Sequence, residues 1–298
     1  MKKVLLIINP SAGMGTARDK LYSIIDQLTV GGCEVTVYPI LPAYNLTCED
    51  ILGKAKGRFD VVACFGGDGT MSHMINGYMN HGYDLPLGYF PAGSTNDFAK
   101  SVGIPETVAG VCDAILKGST FTYDVGRLND TFFNYVAAFG AFTAVSYDTN
   151  QDVKNAIGHA AYILGGIMAL PDALTRTYKL KVEHDGETHE GTYIFGAVSN
   201  STSVGGFKLP NVDRIKLDDG VFEIMLIKAA PTIFDMQGVL GALATGSVEN
   251  KYIEVFQTDE VRLTSDKEIA WTLDGEFGGS QREAHLRLYP EAVKILVP

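Results

Sequence analysis

Only four cysteines and one tryptophan occur in 298 residues, and no two cysteines form a Cys-x-x-Cys pair. A disulfide framework or a zinc ribbon is therefore excluded as the stabilising device. Cys33, Cys48, Cys64 and Cys112 all lie in the first half, Cys64 inside an apolar run, and we expect buried, reduced thiols that suit the cytosol. Histidine is scarce too: the six present show no metal-ligand spacing, and His184 and His189 flank a predicted surface turn. Basic charge is in deficit, with 24 Lys and Arg against 35 Asp and Glu and a net charge of −11. That balance excludes a nucleic-acid partner and opposes strong adhesion to an anionic membrane. No apolar run approaches the ~20 residues needed to span a bilayer. The opening Met-Lys-Lys-Val-Leu-Leu-Ile-Ile-Asn-Pro has too short an apolar run for a secretory signal and reads as a first strand. Also missing are Gly-x4-Gly-Lys-Ser/Thr, which removes the P-loop reading, and any serine or cysteine nucleophile with a recognisable partner base.

What is present is Gly66-Gly67-Asp68-Gly69-Thr70. It follows the apolar run Asp60–Phe65 and precedes Met71, Met74, Ile75 and Tyr78 at helical spacing, so it sits on a strand-to-helix turn. Glycines there would allow positive φ and close approach of backbone to a ligand. The helix that follows offers unpaired N–H groups and the positive end of its dipole to a phosphate. Asp68 among such donors makes chemical sense with a Mg²⁺ between it and the phosphate. A dinucleotide site is a poorer fit. Gly13-Met14-Gly15 is followed by Arg18 where a third small residue is needed, and the second strand ends at Tyr38-Pro39 without an acid for a ribose.

Residues 1 to about 122 alternate strand and helix. Strands are expected at 4–8, 33–38, 60–65 and 85–90. Helices are expected where Leu21, Ile24, Ile25 and Leu28 share a face, after a Thr47/Asp50 capping box, and over Val108–Leu116. Repeated βα units predict a parallel sheet with a nucleotide site beyond the strand C-termini. From about 123 to 290 the pattern turns to strands and hairpins, with strands read over Tyr123–Leu128, Phe132–Phe139, Lys179–His184, Thr188–Ser199, Val221–Ile227, Lys251–Gln257, Val261–Thr264 and Ala270–Leu273, turns at Asn129-Asp130 and Asp185-Gly186-Glu187, and helices near 153–170 and 232–245. The fold class is thus α/β plus β: an N-terminal parallel-sheet nucleotide-binding domain, then a β-rich sandwich. A last strand near 290–298 could belong to either domain.

Further carboxylates could carry chemistry. Asn96-Asp97 follows the fourth strand; Asp97 could cap a helix or order a metal's water shell, with Ser94 and Thr95 on phosphate or ribose. Asp124 stands at the domain junction. Arg18 and Lys100 are candidate phosphate clamps. Asp218-Asp219-Gly220 is a turn or a hard-cation site. Asp274-Gly275-Glu276 is a hairpin turn or a source of the base that deprotonates an acceptor hydroxyl.

Together these residues resemble the bacterial diacylglycerol kinase family, whose catalytic domain is shared with sphingosine and ceramide kinases. Asn9-Pro10-Ser11-Ala12-Gly13 looks like its Asn-Pro-x-Ser-Gly turn, Gly66 to Thr70 its Gly-Gly-Asp-Gly-Thr, and Pro91 to Ala99 its second glycine motif with Ser94 replacing threonine. Asp274-Gly275-Glu276 looks like its catalytic segment. Met14 stands where a basic residue often follows the first turn, and Arg18 could replace it. The resemblance implies ATP and Mg²⁺ as cofactors. ATP would be held by Asn9–Gly13, Arg18, Gly66–Thr70 and Ser94–Asn96, and the catalytic metal by Asp68, Asp97 and Asp124. Asp219 with the carbonyls of Lys216 and Val221 would hold a structural Mg²⁺. Asp68 would be catalytic, with Asp274 or Glu276 as the base. A lipid hydroxyl would be phosphorylated between the domains, with diacylglycerol the first expectation and a sphingoid base, NAD or a non-catalytic lipid-binding role the alternatives. The protein would be cytoplasmic, peripheral at a membrane surface, and possible as a homodimer through exposed sheet edges.

Overall fold

Val4–Ile8 is a run of five buried aliphatic residues, and such a run satisfies its backbone only at the centre of a sheet covered on both faces. That is where the computed structural model places it. The structure describes every residue except 16, 94–95, 141–175, 201–202, 205–206, 209–215 and 246–248. The helix expected over 153–170 lies outside the described residues.

The chain divides into two units, Met1–Val125 with Pro290–Pro298, and Gly126–Tyr289. In the first unit β1 (Lys2–Ile8) pairs in parallel with β2 (Cys33–Pro39) and β3 (Val61–Gly66), and β3 with β4 (Leu87–Pro91). The chain's last stretch adds one more parallel neighbour, Ile295 beside Leu87. Helix α1 (Ala17–Val30) packs on α5 (Val108–Lys117), and α2 (Cys48–Ala55) on α3 (Asp68–Asn80); α4 (Asp97–Ser101) is a single short turn. The capping box forms as the residues predict: Thr47 Oγ1 accepts from the Asp50 N–H, and the Asp50 carboxylate accepts from the Thr47 N–H.

All four cysteines are buried in this unit. Burial pushes the Cys48 thiol up to about 12 and Cys112 to about 11, and Cys64 goes well above its ordinary value. A folded-state value raised above the unfolded one stabilises the fold below the unfolded value. That contribution is lost as pH climbs from about 9 towards 12. At pH 8 the native protein is expected to show no thiol reacting with a disulfide reagent within minutes, and four after urea. A fast-reacting thiol in the native state would contradict the burial.

The second unit is antiparallel. Strand β5 (Ser119–Leu128) enters it and turns at Asn129-Asp130 into β6 (Thr131–Phe133); β7 is Val136–Gly140. Strands β8 (Tyr178–His184) and β9 (Glu187–Ser199) form a hairpin, with Asp185 and Gly186 both at positive φ. Two short strands follow, β10 (Ser203–Val204) and β11 (Phe207–Lys208), and then β12 (Phe222–Lys228), which lies between β9 and β13 (Ile253–Thr258). Strand β14 (Glu260–Leu273) pairs with β7, β8 and β15 (Glu276–Val297). One face buries Phe133, Phe139, Tyr193, Phe222, Leu263 and Trp271. The other buries Ile194, Phe195, Ala197 and Met225 together with Val239 of α6 (Ile233–Thr245). The strand expected over Phe132–Phe139 is two strands, interrupted at Asn134-Tyr135.

Candidate active site

In the first unit, strands β1, β3 and β4 end side by side, with Ile8 beside Phe65 and Gly66 beside Pro91. The turns that follow are tied to one another. Asn9 donates its backbone N–H to the Phe65 carbonyl (2.9 Å) and its side-chain amide to Thr70 Oγ1 (2.9 Å), while its Oδ1 accepts from the Ser11 N–H (3.0 Å). The Ala12 N–H returns to the Asn9 carbonyl. Pro10 and Ser11 stay exposed, and Gly13 has φ 65°.

The glycines of the second turn do not adopt the positive φ expected of them. Gly67 has φ −87°, and neither Gly66 nor Gly69 adopts positive φ. Gly66 and Gly67 are required by packing. A Cβ on Gly66 would fall 2.4 Å from the Thr70 Cβ, and one on Gly67 3.0 Å from the Gly93 Cα. The Ala92 N–H donates to the Gly66 carbonyl (2.8 Å), so the two glycine-bearing turns lie backbone against backbone. Asn96, at φ 50°, closes the second turn: its Oδ1 accepts from the Gly93 N–H (2.8 Å) and its amide donates to the Gly93 carbonyl (3.0 Å). Asn96, not Asp97, is the N-cap residue of α4. Gly93→Ala would place a Cβ 2.9 Å from both the Gly67 Cα and Asn96 Oδ1. It is expected to cost roughly 1–3 kcal/mol in urea unfolding, the usual price of overpacking; a neutral result would show that the turns can separate.

Asp68 is the first residue of α3, half-buried, and no side chain caps that helix. Its first N–H groups and dipole therefore face the same turn as the carboxylate. Burial, and then the charge of Asp68, hold the Tyr89 phenol well above its usual range. Tyr89 lies on β4, fully buried, and its hydroxyl has no partner among the described residues. The sequence pattern marks it only as core. Arg18 and Lys100 are exposed. Ser94, Thr95 and the Asp97 side chain lie outside what is described. Asp124 is fully buried on β5 and accepts the Glu291 N–H at 2.7 Å, a tie to the chain's last segment that no local pattern announces.

No three His, Cys, Asp or Glu side chains converge as a ready-made metal cage among the described residues. The carboxylates of Asp68 and Asp124 are hard oxygen donors. Mg²⁺ commonly takes one or two such groups and completes its shell with phosphates and water; the half-buried Asp68 carboxylate suits such a ligand, whereas Asp124 is fully buried and accepts the Glu291 N–H.

In the second unit Asp274 and Glu276 differ sharply. Asp274 is 4% exposed and Glu276 is exposed. The Asp274 carboxylate accepts from the N–H groups of Asn134 (2.8 Å), Tyr135 (3.0 Å) and Val136 (3.2 Å) and from the Asn134 amide (3.3 Å). Asp219 is exposed, and its Oδ1 accepts the Val221 N–H at 3.4 Å; Lys216 is exposed nearby in sequence. Two residues past Val221, the buried Glu223 is pushed up to about 7 by burial, with the charge of Asp219 adding to the rise and the hydrogen bond from Gln257 (3.0 Å) opposing it. Its place inside a strand run gave no sequence signal of a buried acid.

Comparison with known proteins assigns both parts of the chain. Residues 3–128 match the diacylglycerol kinase catalytic domain, and residues 136–297 the YegS C-terminal NAD kinase beta sandwich-like domain. A diacylglycerol kinase of Bacillus subtilis (strain 168) is 29% identical over 299 residues, covering 100% of this chain and 97% of its own. One of Staphylococcus aureus (strain JH9) is 28% identical over 280 residues, 93% of this chain and 87% of its own. A solved structure described as a diacylglycerol kinase from Bacillus anthracis str. Sterne shares the fold, with a TM-score of 0.78 at 22% identity over 100% of this chain and 97% of that one. With a catalytic domain and a sandwich-like domain in this order, the chain belongs to the bacterial diacylglycerol kinase family.

Proposed function

We propose that the protein is an ATP- and Mg²⁺-dependent lipid kinase that converts diacylglycerol to phosphatidic acid. The observation that carries this reading is the pair of packed turns at the C-terminal edge of the first unit's sheet, with Asp68 at the uncapped start of α3. Relatives named diacylglycerol kinase, aligned over nearly the full chain, support the acceptor. The turns at Asn9–Gly13, Gly66–Thr70 and Ser94–Asn96 would hold the nucleotide, with Arg18 and Lys100 free to reach phosphate. Asp68, with Asp97 and Asp124, would hold the metal, which when bound neutralises charge on the phosphates. A second cation would rest on Asp219 and the carbonyls of Lys216 and Val221.

Chemically, the acceptor oxygen forms a bond to the γ-phosphorus while the bond from that phosphorus to the β–γ bridging oxygen breaks and ADP leaves. The hydroxyl proton goes to Glu276, the exposed acid of the Asp-Gly-Glu segment. No described helix is long and apolar enough to cross a membrane. The enzyme would therefore meet its lipid as a peripheral protein on the cytoplasmic face.

Transfer of labelled γ-phosphate from ATP to diacylglycerol in mixed micelles tests this. Labelled phosphatidic acid is the expected product. Label moving instead to a sphingoid base or to NAD would replace the acceptor, and no transfer to any of the three would favour a non-catalytic lipid-binding role.

A further inference from the structure

We propose that Asp274 is a positioning residue: its carboxylate fastens the Asn134–Val136 turn to the hairpin that presents Glu276. The role of Glu276 rests on the kinase reading above; the fastening itself does not.

An ionised carboxylate has about four acceptor positions. Those of Asp274 meet four donors: the N–H and side-chain amide of Asn134 on Oδ2, and the N–H groups of Tyr135 and Val136 on Oδ1. A base needs an acceptor position that the substrate hydroxyl can reach, and this group is both engaged and buried. Two bonds run through the Asp274 backbone. Its N–H donates to the Val136 carbonyl (2.9 Å), and its carbonyl accepts from the Tyr135 hydroxyl (3.2 Å). The Asn134 and Tyr135 N–H groups are directed at this carboxylate and not at a neighbouring strand, which matches the gap between the end of β6 at Phe133 and the start of β7 at Val136.

The hairpin side of the fastening is equally constrained. Asp274 and Gly275 have φ 51° and 88°, a two-residue turn in which both residues are left-handed. Leu273 then pairs directly with Glu276. Glu276 is thus the first residue beyond a turn whose geometry is held by the 134–136 segment. Loss of the Asp274 carboxylate would take the acceptor from the buried Asn134 and Val136 N–H groups and the part-buried Tyr135 N–H, and free the turn that aims Glu276. Displacement of a catalytic group by about 1 Å is enough to cost ~10²-fold in rate.

The test compares Asp274→Asn with Glu276→Gln in full-length protein, reading steady-state kinetics, the pH–rate profile and backbone amide exchange. Asp274→Asn is expected to lower kcat ~10–100-fold with KM for ATP unchanged. The rise of rate with pH on the acid side should persist, and exchange at 134–136 should become at least ~10-fold faster. Glu276→Gln should lose the acid-side rise and leave that exchange unchanged. Loss of the acid-side rise in Asp274→Asn, or unaltered exchange at 134–136, would overturn the proposal. Should Asp274→Asn fail to fold, Asn134→Ala and Tyr135→Phe each remove one tie and are expected to lower kcat a few-fold at constant KM for ATP; wild-type kcat in both would overturn it as well. If the wild-type protein transfers phosphate to no acceptor, the kinase reading fails, and the exchange data still decide the fastening.

Discussion

Asp68→Ala is expected to reduce phosphate transfer from ATP by ~10³-fold or more, with the fold intact. The side chain is the first residue of α3, on the turn that Gly67 and Gly93 hold together. Removing it deletes the charge that would anchor a metal on the nucleotide while leaving the packing that shapes the turn. The structural cost is small: an acid near the start of a helix contributes about 0.3–1 kcal/mol. For a protein of this size that is a shift of a few degrees in the unfolding midpoint. A variant with near-normal turnover would remove Asp68 from the catalytic centre. A variant that unfolds would make its contribution structural instead.

Glu276→Gln is the second large effect. Removing a general base typically costs ~10²–10⁴-fold. Glutamine keeps the size and polarity of an exposed side chain, so stability should match the wild-type protein. KM for ATP should stay constant, since Glu276 belongs to the second unit and the nucleotide turns to the first. A variant with undiminished kcat would return the base to another acid.

These features differ in how well they could be read in advance. The strand Val61–Gly66, the turn after it and helix α3 were legible because a buried apolar run, a glycine cluster and helical periodicity lie within twenty residues of each other. The Thr47/Asp50 capping box was legible for the same reason: both partners are local. What escaped was set by distant partners. Phe132–Phe139 is apolar throughout except at Asn134 and reads as one strand, and the Asp274 carboxylate, far along the chain, takes the Asn134 and Tyr135 N–H groups where it breaks. Val261–Thr264 and Ala270–Leu273 read as two strands but form one, Glu260–Leu273; the register shift between Thr264 and Ile269 carries the charged Asp266-Lys267-Glu268 on the outside without ending it. The last strand, expected near 290–298, begins at Glu276, so that Gly278, Gly279 and Pro290 all lie within β15. Within the site, the order of roles in Asp-Gly-Glu depends on burial, which spacing does not reveal. The glycines of the turn lie where they were expected, but Gly66 makes room for the Thr70 side chain and Gly67 for the Gly93 backbone, and none adopts positive φ.

The tie between Asp124 and Glu291 bears on how the polypeptide is made. The first unit is assembled from two stretches separated by the whole of the second, and its final pieces are late ones: the Glu291 N–H on Asp124, Ile295 beside Leu87, and the Val297 carbonyl packed against Gly118. A ribosome that has delivered every glycine motif has still not delivered these. Vectorial synthesis therefore lets the second unit close while β4 waits for its neighbour and Asp124 sits buried-to-be without its donor. Emergence of residues 290–298, and not of the nucleotide motifs, would complete the first unit's sheet and bring Asp124 its donor.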